Sequence, residues 1–193
     1  MTLEPEHRKR IKHYEDPGHL RELTFSCYRR QPLLVDDSWR EMLSRSTDAA
    51  SERHDCRLAA FVYMPEHVHL LFFPLPGAAA IEHLIKAIKR PYSYRIKQQL
   101  VASQSPLLYE LTVRQRPGVM TFRYWQEGPG YDRNLFKPDA VLAAIDYLHL
   151  NPVRRKLCER AVDYRWSSAC WFASGSSDAA LPRLTQLPSY FFL

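Results

Sequence analysis

Two histidines one residue apart, His67 and His69, stand at the head of an apolar run, Leu70-Leu71-Phe72-Phe73. A strand turns successive side chains to opposite faces, so this spacing aims both imidazoles the same way and offers two nitrogens to one cation. Much farther along, Tyr147 and Asn151 are four residues apart, which puts both on one face of a helix. A tyrosine with a pKa of about 10 is only about one part in a thousand phenolate at neutral pH and attacks poorly unaided. Beside a cation held by two imidazoles and an amide oxygen it could attack a phosphate, because the cation neutralises the charge that develops there. The product is a phosphotyrosine bond. The histidine pair alone is a weak signal, since histidines at this spacing also occur as ordinary strand residues. A zinc hydrolase that activates water needs a third ligand stronger than asparagine. His149, roughly 200° round the helix from Tyr147, should face away and serve structure. Glu66 and Asp146 adjoin the key residues and are either tuning groups or solvated carboxylates.

Those residues need supporting elements, and the apolar pattern supplies them. Leu23, Phe25 and Cys27 alternate with polar positions as in a strand that ends at Arg29-Arg30. Asp36-Asp37-Ser38 reads as a helix start, with Trp39, Met42 and Leu43 buried and the helix fading through Ser44 to Ser51. Leu58 to Tyr63 is a short apolar strand, joined by Met64-Pro65-Glu66 to the histidine strand as an antiparallel hairpin. Ile81, Leu84, Ile85 and Ile88 give the clearest helical period; Lys86, Lys89 and Arg90 lie opposite, and Pro91 predicts a kink or break. Residues 101–117 carry no period. Val119 to Trp125 predicts the last strand, and Gln126 to Arg133 a glycine-hinged loop. Pro138-Asp139 opens the helix of Tyr147, and Pro152 predicts its end. The fold class is therefore α+β: a ferredoxin-like split β-α-β sandwich, a four-stranded antiparallel sheet with helices on one face. Its divisions are a basic arm over 1–20 containing Arg8, Lys9, Arg10 and Lys12, a domain over 21–172, and a tail over 173–193.

The chain has 193 residues and a formal charge of +6, a balance that suits a polyanion without requiring one. Cys27, Cys56, Cys158 and Cys170 form no Cys-x-x-Cys pair, which speaks for free thiols rather than a zinc or redox site. With neither a signal segment nor an apolar run long enough for a membrane span, a cytoplasmic protein is expected.

Met64-Pro65-Glu66-His67-Val68-His69-Leu70-Leu71, the Trp125-Gln126 and Gly128 to Arg133 segment, Asp146 to Arg154 and Tyr164-Arg165-Trp166-Ser167-Ser168 together resemble the REP-associated tyrosine transposases. These are single-tyrosine members of the His-hydrophobe-His (HUH) endonuclease superfamily, and the likeness spans roughly Leu20 to Phe172. The resemblance implies that His67, His69 and Asn151 hold Mg²⁺ or Mn²⁺ and that Tyr147 is the nucleophile. The implied reaction is cutting and rejoining of single-stranded DNA at or near palindromic hairpins, through a 5′-phosphotyrosine and a free 3′-OH. The alternative is a catalytically silent protein that only binds hairpin DNA. Monomer and homodimer both fit. Arg29, Arg30, Lys89, Arg90, Arg154 and Arg155 are candidates for phosphate contact, and Tyr92, Tyr94 and Tyr131 for base stacking.

Overall fold

The computed structural model of the protein describes residues 18–128 and 130–191. Of the predicted basic arm, residues 1–17 lie outside the described residues. Strand β1 (Leu20–Ser26) is followed by helix α1 (Asp37–Arg53), then by the hairpin β2 (Cys56–Tyr63) and β3 (His67–Pro74). Helix α2 (Ile81–Ala102), a single turn α3 (Leu107–Glu110) and a small hairpin β4 (Thr112–Arg116) and β5 (Val119–Phe122) come next. Strand β6 (Tyr131–Leu135), helix α4 (Pro138–Arg154) and helix α5 (Ala169–Ser174) complete the order.

The main sheet runs β2-β3-β1-β6 with every pairing antiparallel. Counting only its own strands, that is the ferredoxin-like order, as expected. Its fourth strand is not the predicted one. Val119 to Phe122 pairs with β4 in a separate two-stranded sheet, and the segment read as a hinged loop supplies β6. Strand β6 escapes recognition because polar residues fill it: Tyr131 and Arg133 look into open space, while Asp132 forms a buried ion pair with Arg21. At its start Gly130 has φ +86°, and a Cβ there would stand 2.2 Å from the Thr24 carbonyl oxygen. Only glycine lets β6 approach β1 this closely.

Alternation along the strands divides the core in two. Leu23, Phe25, Phe61, Val68 and Phe72 join Leu43, Leu84, Ile85, Ile88 and Tyr92 on one face, beneath α1 and α2. Leu20, Ala60, Val62, Leu71 and Leu135 join Val141, Ala144, Ile145 and Leu148 on the other, beneath α4. The expectation of helices on one face is thus corrected. It holds for α1 and α2, whereas α4 crosses the opposite face, because the sheet carries apolar residues on both. Burial of Val141, Ile145 and Leu148, at roughly 1.5–3 kcal/mol each, fixes α4 there.

Three local expectations also change. Helix α1 does not fade after Leu43, because Ser44, Ser46, Thr47 and Ser51 donate hydroxyls to carbonyls four residues back, at 2.8–3.2 Å, and so can be buried. Helix α2 runs unbroken through Pro91, which sits on its exposed side between the buried Ile88 and Tyr92. Packing on both sides outweighs the one backbone bond that proline removes. Helix α4 likewise continues past Pro152 to Arg154.

The outer edge of β2 is covered. Tyr63 N–H donates to the Trp166 carbonyl at 2.9 Å, Ser168 N–H to the Phe61 carbonyl at 3.0 Å and Thr185 N–H to the Leu58 carbonyl at 2.8 Å, which leaves little open edge for another chain to join. Leu187 and Phe191 are buried in the core beneath α4. Among the described residues no helix is long and apolar enough to cross a membrane.

Candidate functional site

Register places the two histidines. In β3, His67 lies opposite Ser26 and His69 opposite Thr24 of β1, and His69 is flanked on its other side by Val62 of β2. Both side chains leave the sheet on the face that α4 covers. His67 is 5% exposed and His69 6%, so the pair is enclosed at the center of the fold rather than presented on a loop. Their Nε2 atoms stand 3.0 Å apart.

Helix α4 closes over them with the residues its spacing selected. The Asn151 amide approaches His69 Nε2 at 3.1 Å, and Asn151 is itself buried. The Tyr147 ring stands edge-on to the His69 ring with centroids 5.7 Å apart, while remaining 46% exposed. The two faces found in the sequence therefore meet, with one tyrosine open to solvent above a buried cluster of donors. His149 faces away as predicted: its Nε2 lies 2.7 Å from the Ser168 hydroxyl, and its ring packs edge-on to Phe172. Burial pushes His149 down to about 4 and His69 down to about 3. His67 is lowered too, chiefly by burial, against the opposing pull of Glu66. All three imidazoles are thus neutral at physiological pH, the form in which a ring nitrogen can ligate.

The remaining ring nitrogens are held from behind. His69 Nδ1 is 2.7 Å from the Thr24 hydroxyl, and His67 Nδ1 is 3.2 Å from a Glu66 carboxylate oxygen. The latter contact has ion-pair distance without hydrogen-bond alignment, which leaves His67 Nδ1 a buried nitrogen with no aligned partner. Glu66 also accepts from Arg155 Nη1 at 2.8 Å, tying the end of α4 to the turn before β3. The Thr24 oxygen behind His69 is the arrangement that orients a histidine ligand, whereas Glu66 lies near His67 Nδ1 without bonding it.

The spacing of the donors fits a six-coordinate divalent cation. Edges of an octahedron with bonds of about 2.1 Å measure about 3.0 Å, close to the 3.0 and 3.1 Å separations of these donors. Rotation of the Asn151 amide about its last torsion presents its oxygen in place of its nitrogen. Among the described residues no group of three His, Cys, Asp or Glu could hold a metal. The described residues bring together two imidazoles and one amide here.

The surrounding charge is positive. Arg154 lies over the Tyr147 ring at 5.2 Å, and both Arg30 and Arg155 are near enough to His67 to oppose its protonation. Arg29 and Arg30 form an exposed turn with φ of 53° and 54°. Arg90 is exposed on α2, whereas Lys89 is engaged: its ammonium donates to the Gln126 and Gly128 carbonyls at 3.3 and 3.1 Å and sits over Phe25. Of the stacking candidates, Tyr92 is fully buried in the core and bonded to the Tyr124 hydroxyl, so it cannot meet a base, while Tyr94 and Tyr131 are exposed. Sequence reading missed Thr24, although its polar position in the alternating β1 pattern was the available signal. It also missed the pairing of Arg154 with Tyr147, two helical turns apart.

Residues 19–110 match the family described as IS200-like transposases. Comparison with curated proteins finds no match. Among solved structures, that of a REP-associated tyrosine transposase bound to a REP hairpin superposes with a TM-score of 0.64 at 17% identity, covering 93% of this chain and 100% of that one. This likeness is one of fold. A crystallised protein from Deinococcus radiodurans R1, described as a transposase, is 21% identical over 74% of this chain and 97% of its own, with a TM-score of 0.44.

Proposed function

We propose that this chain, whose residues 19–110 match the IS200-like transposases, cuts and rejoins single-stranded DNA through a covalent bond to Tyr147. The match to a transposase family over residues 19–110 supports a DNA-binding transposase role. The finer reading rests on one observation: the Tyr147 ring, open to solvent, stands beside His67, His69 and Asn151, which converge within 3.0–3.1 Å of one another. His67, His69 and the Asn151 amide oxygen would hold Mg²⁺ or Mn²⁺, which when bound neutralises charge on the scissile phosphate.

The chain's own groups carry the rest. Arg154, over the Tyr147 ring, places a positive charge beside the proposed nucleophile, where the phosphate would lie. The Tyr147 oxygen attacks phosphorus, a tyrosine–phosphate bond forms and the bond from phosphorus to the 3′ oxygen breaks. The Tyr147 hydroxyl gives up its proton and the departing oxygen takes one up, so that a free 3′-OH leaves with no net change in protons. The phosphodiester count is unchanged, so the strand can be rejoined by the reverse attack without an external energy source. Thr24 holds the His69 imidazole, Glu66 sets a carboxylate beside His67, and Arg30 and Arg155 add positive charge where the strand backbone would lie. Hairpin DNA is the proposed partner; the fold's likeness to a transposase bound to a REP hairpin supports it.

The test is incubation with a 5′-labelled and a 3′-labelled single strand containing a palindrome, with Mn²⁺ or Mg²⁺. The 3′-side fragment should become covalently attached to the protein, and Tyr147→Phe should abolish attachment while preserving a mobility shift. A mobility shift with no covalent product under either metal would establish a silent hairpin binder instead.

A further inference from the structure

Beside the proposed nucleophile the same sheet face carries a recess that the chemistry above leaves unused. Cross-strand register builds it in rows. One row runs Val62, His69, Thr24, Tyr131 across β2, β3, β1 and β6; the next runs Leu71, Glu22, Arg133. Where the rows reach β6 no described residue covers them, because α4 presents Ala143 and Ala144 there, one turn before Tyr147. The result is an open cleft of about 480 Å³ running from His69 and Tyr147 to Tyr131 and Arg133. That volume falls within the roughly 300–1,000 Å³ of small-ligand sites.

The cleft has one stacking surface and one polar fork. Tyr131 is 46% exposed, held at the rim by the close approach of Gly130 to Thr24. Arg133 is fixed from behind: its Nε and Nη2 donate to one oxygen of the buried Glu22 at 3.0 and 2.8 Å, while the arginine side chain stays 48% exposed. Glu22 therefore occupies the side edge of the guanidinium and leaves the end edge, two parallel N–H groups of Nη1 and Nη2, available to a ligand. A paired donor fork matches the O6 and N7 acceptors of guanine. Adenine and thymine present no such pair of adjacent acceptors; an unpaired cytosine presents one, O2 and N3, but offers Tyr131 a smaller ring to stack on than guanine does.

We propose that this cleft seats one unpaired guanine of the DNA strand next to the scissile phosphate, stacked on Tyr131 and read by the end edge of Arg133, with Glu22 positioning the arginine. Its meaning for cleavage rests on the reading of Tyr147 as nucleophile, but the seat itself is tested without cleavage. The full chain with ¹³C-labelled alanine methyls is titrated with dGMP, dAMP, dCMP, TMP and inorganic phosphate. Ala143 and Ala144 should shift with dGMP, at an affinity at least about fivefold above that of the other three nucleotides. Arg133→Lys, which keeps the charge and loses the fork, should bring the four nucleotides within about twofold of one another. Tyr131→Leu should weaken all four by about fivefold or more. Unchanged signals from the other alanines report an intact fold in each variant. The proposal is overturned if no nucleotide shifts Ala143 and Ala144, if inorganic phosphate acts as well as dGMP, or if Arg133→Lys retains the guanine preference. Absence of a covalent product at Tyr147 would leave these titrations intact, so the two readings fail separately.

Discussion

Gly130→Ala should destabilise the protein by about 2–5 kcal/mol, and two separate costs make up that figure. The first is conformational: an alanine forced to φ +86° carries roughly 1–2 kcal/mol of strain. The second is steric, because the new Cβ would stand 2.2 Å from the Thr24 carbonyl oxygen. That oxygen belongs to β1 and pairs with β6, so neither partner can turn aside as a flexible side chain would. The strands must separate by about 1 Å, at an overpacking cost of about 1–3 kcal/mol. Gly118 supplies the control, since its φ is +74° and nothing lies within 4 Å of its would-be Cβ. Gly118→Ala should show the conformational cost alone. Changes in unfolded-chain entropy are shared by the two variants and cancel in the comparison. Urea unfolding monitored by circular dichroism measures both, provided that the slopes agree. Gly130→Ala should be the less stable by at least about 1 kcal/mol. Equal losses for the two variants would refute the close packing of β6 on β1, and with it the register that brings Tyr131 and Arg133 beside the site.

Glu66→Gln removes the carboxylate behind His67 and the Arg155 ion pair; Mn²⁺ affinity measured by calorimetry should fall about 10- to 100-fold, and unchanged affinity would dissociate Glu66 from the metal-binding role. His149 has a depressed folded value of about 4 against the ordinary 6.5, so its contribution is intact above pH 6.5 and is lost as pH falls toward 4. Between pH 7 and pH 5 the stability of the parent should therefore drop relative to His149→Gln by about 2 kcal/mol; parallel pH profiles for the two proteins would contradict the burial of a neutral imidazole. Pro91 interrupts the backbone ladder on the exposed side of α2, so Pro91→Ala should raise stability by about 2 kcal/mol in urea, and a loss would mean that the proline ring makes a contact the helix needs.

The elements that hold the site were legible because their cores follow simple periods. His67-Val68-His69 needed only strand alternation, and Tyr147 with Asn151 only helical spacing, to be assigned to two faces that could meet. What escaped was whatever is polar for a structural reason. Strand β6 reads as a loop because Arg21 and Asp132 neutralise each other within the fold and Tyr131 and Arg133 border a cleft. Of the surface hairpin, β5 reads as a strand from its alternation, whereas β4, with Arg114, Gln115 and Arg116 exposed, shows no burial pattern to read and its pairing with β5 escapes. The second half of α1 hides behind serines and threonine whose hydroxyls bond within their own helix. The placement of α4 on the far face could not be read from its own stripe, which states only that one side is apolar. It follows from the sheet, where Ala60, Val62 and Leu71 offer a second apolar surface.

The most direct measurement is the mass of the Tyr147-bearing tryptic peptide after reaction with a hairpin-containing single strand in Mn²⁺ and nuclease trimming. Proximity of the Tyr147 ring to His69 and Asn151 predicts a phosphate or 5′-nucleotide mass added to Tyr147 and to no other tyrosine. A covalent adduct on a different residue, or strand cleavage with Tyr147 unmodified throughout, would contradict it.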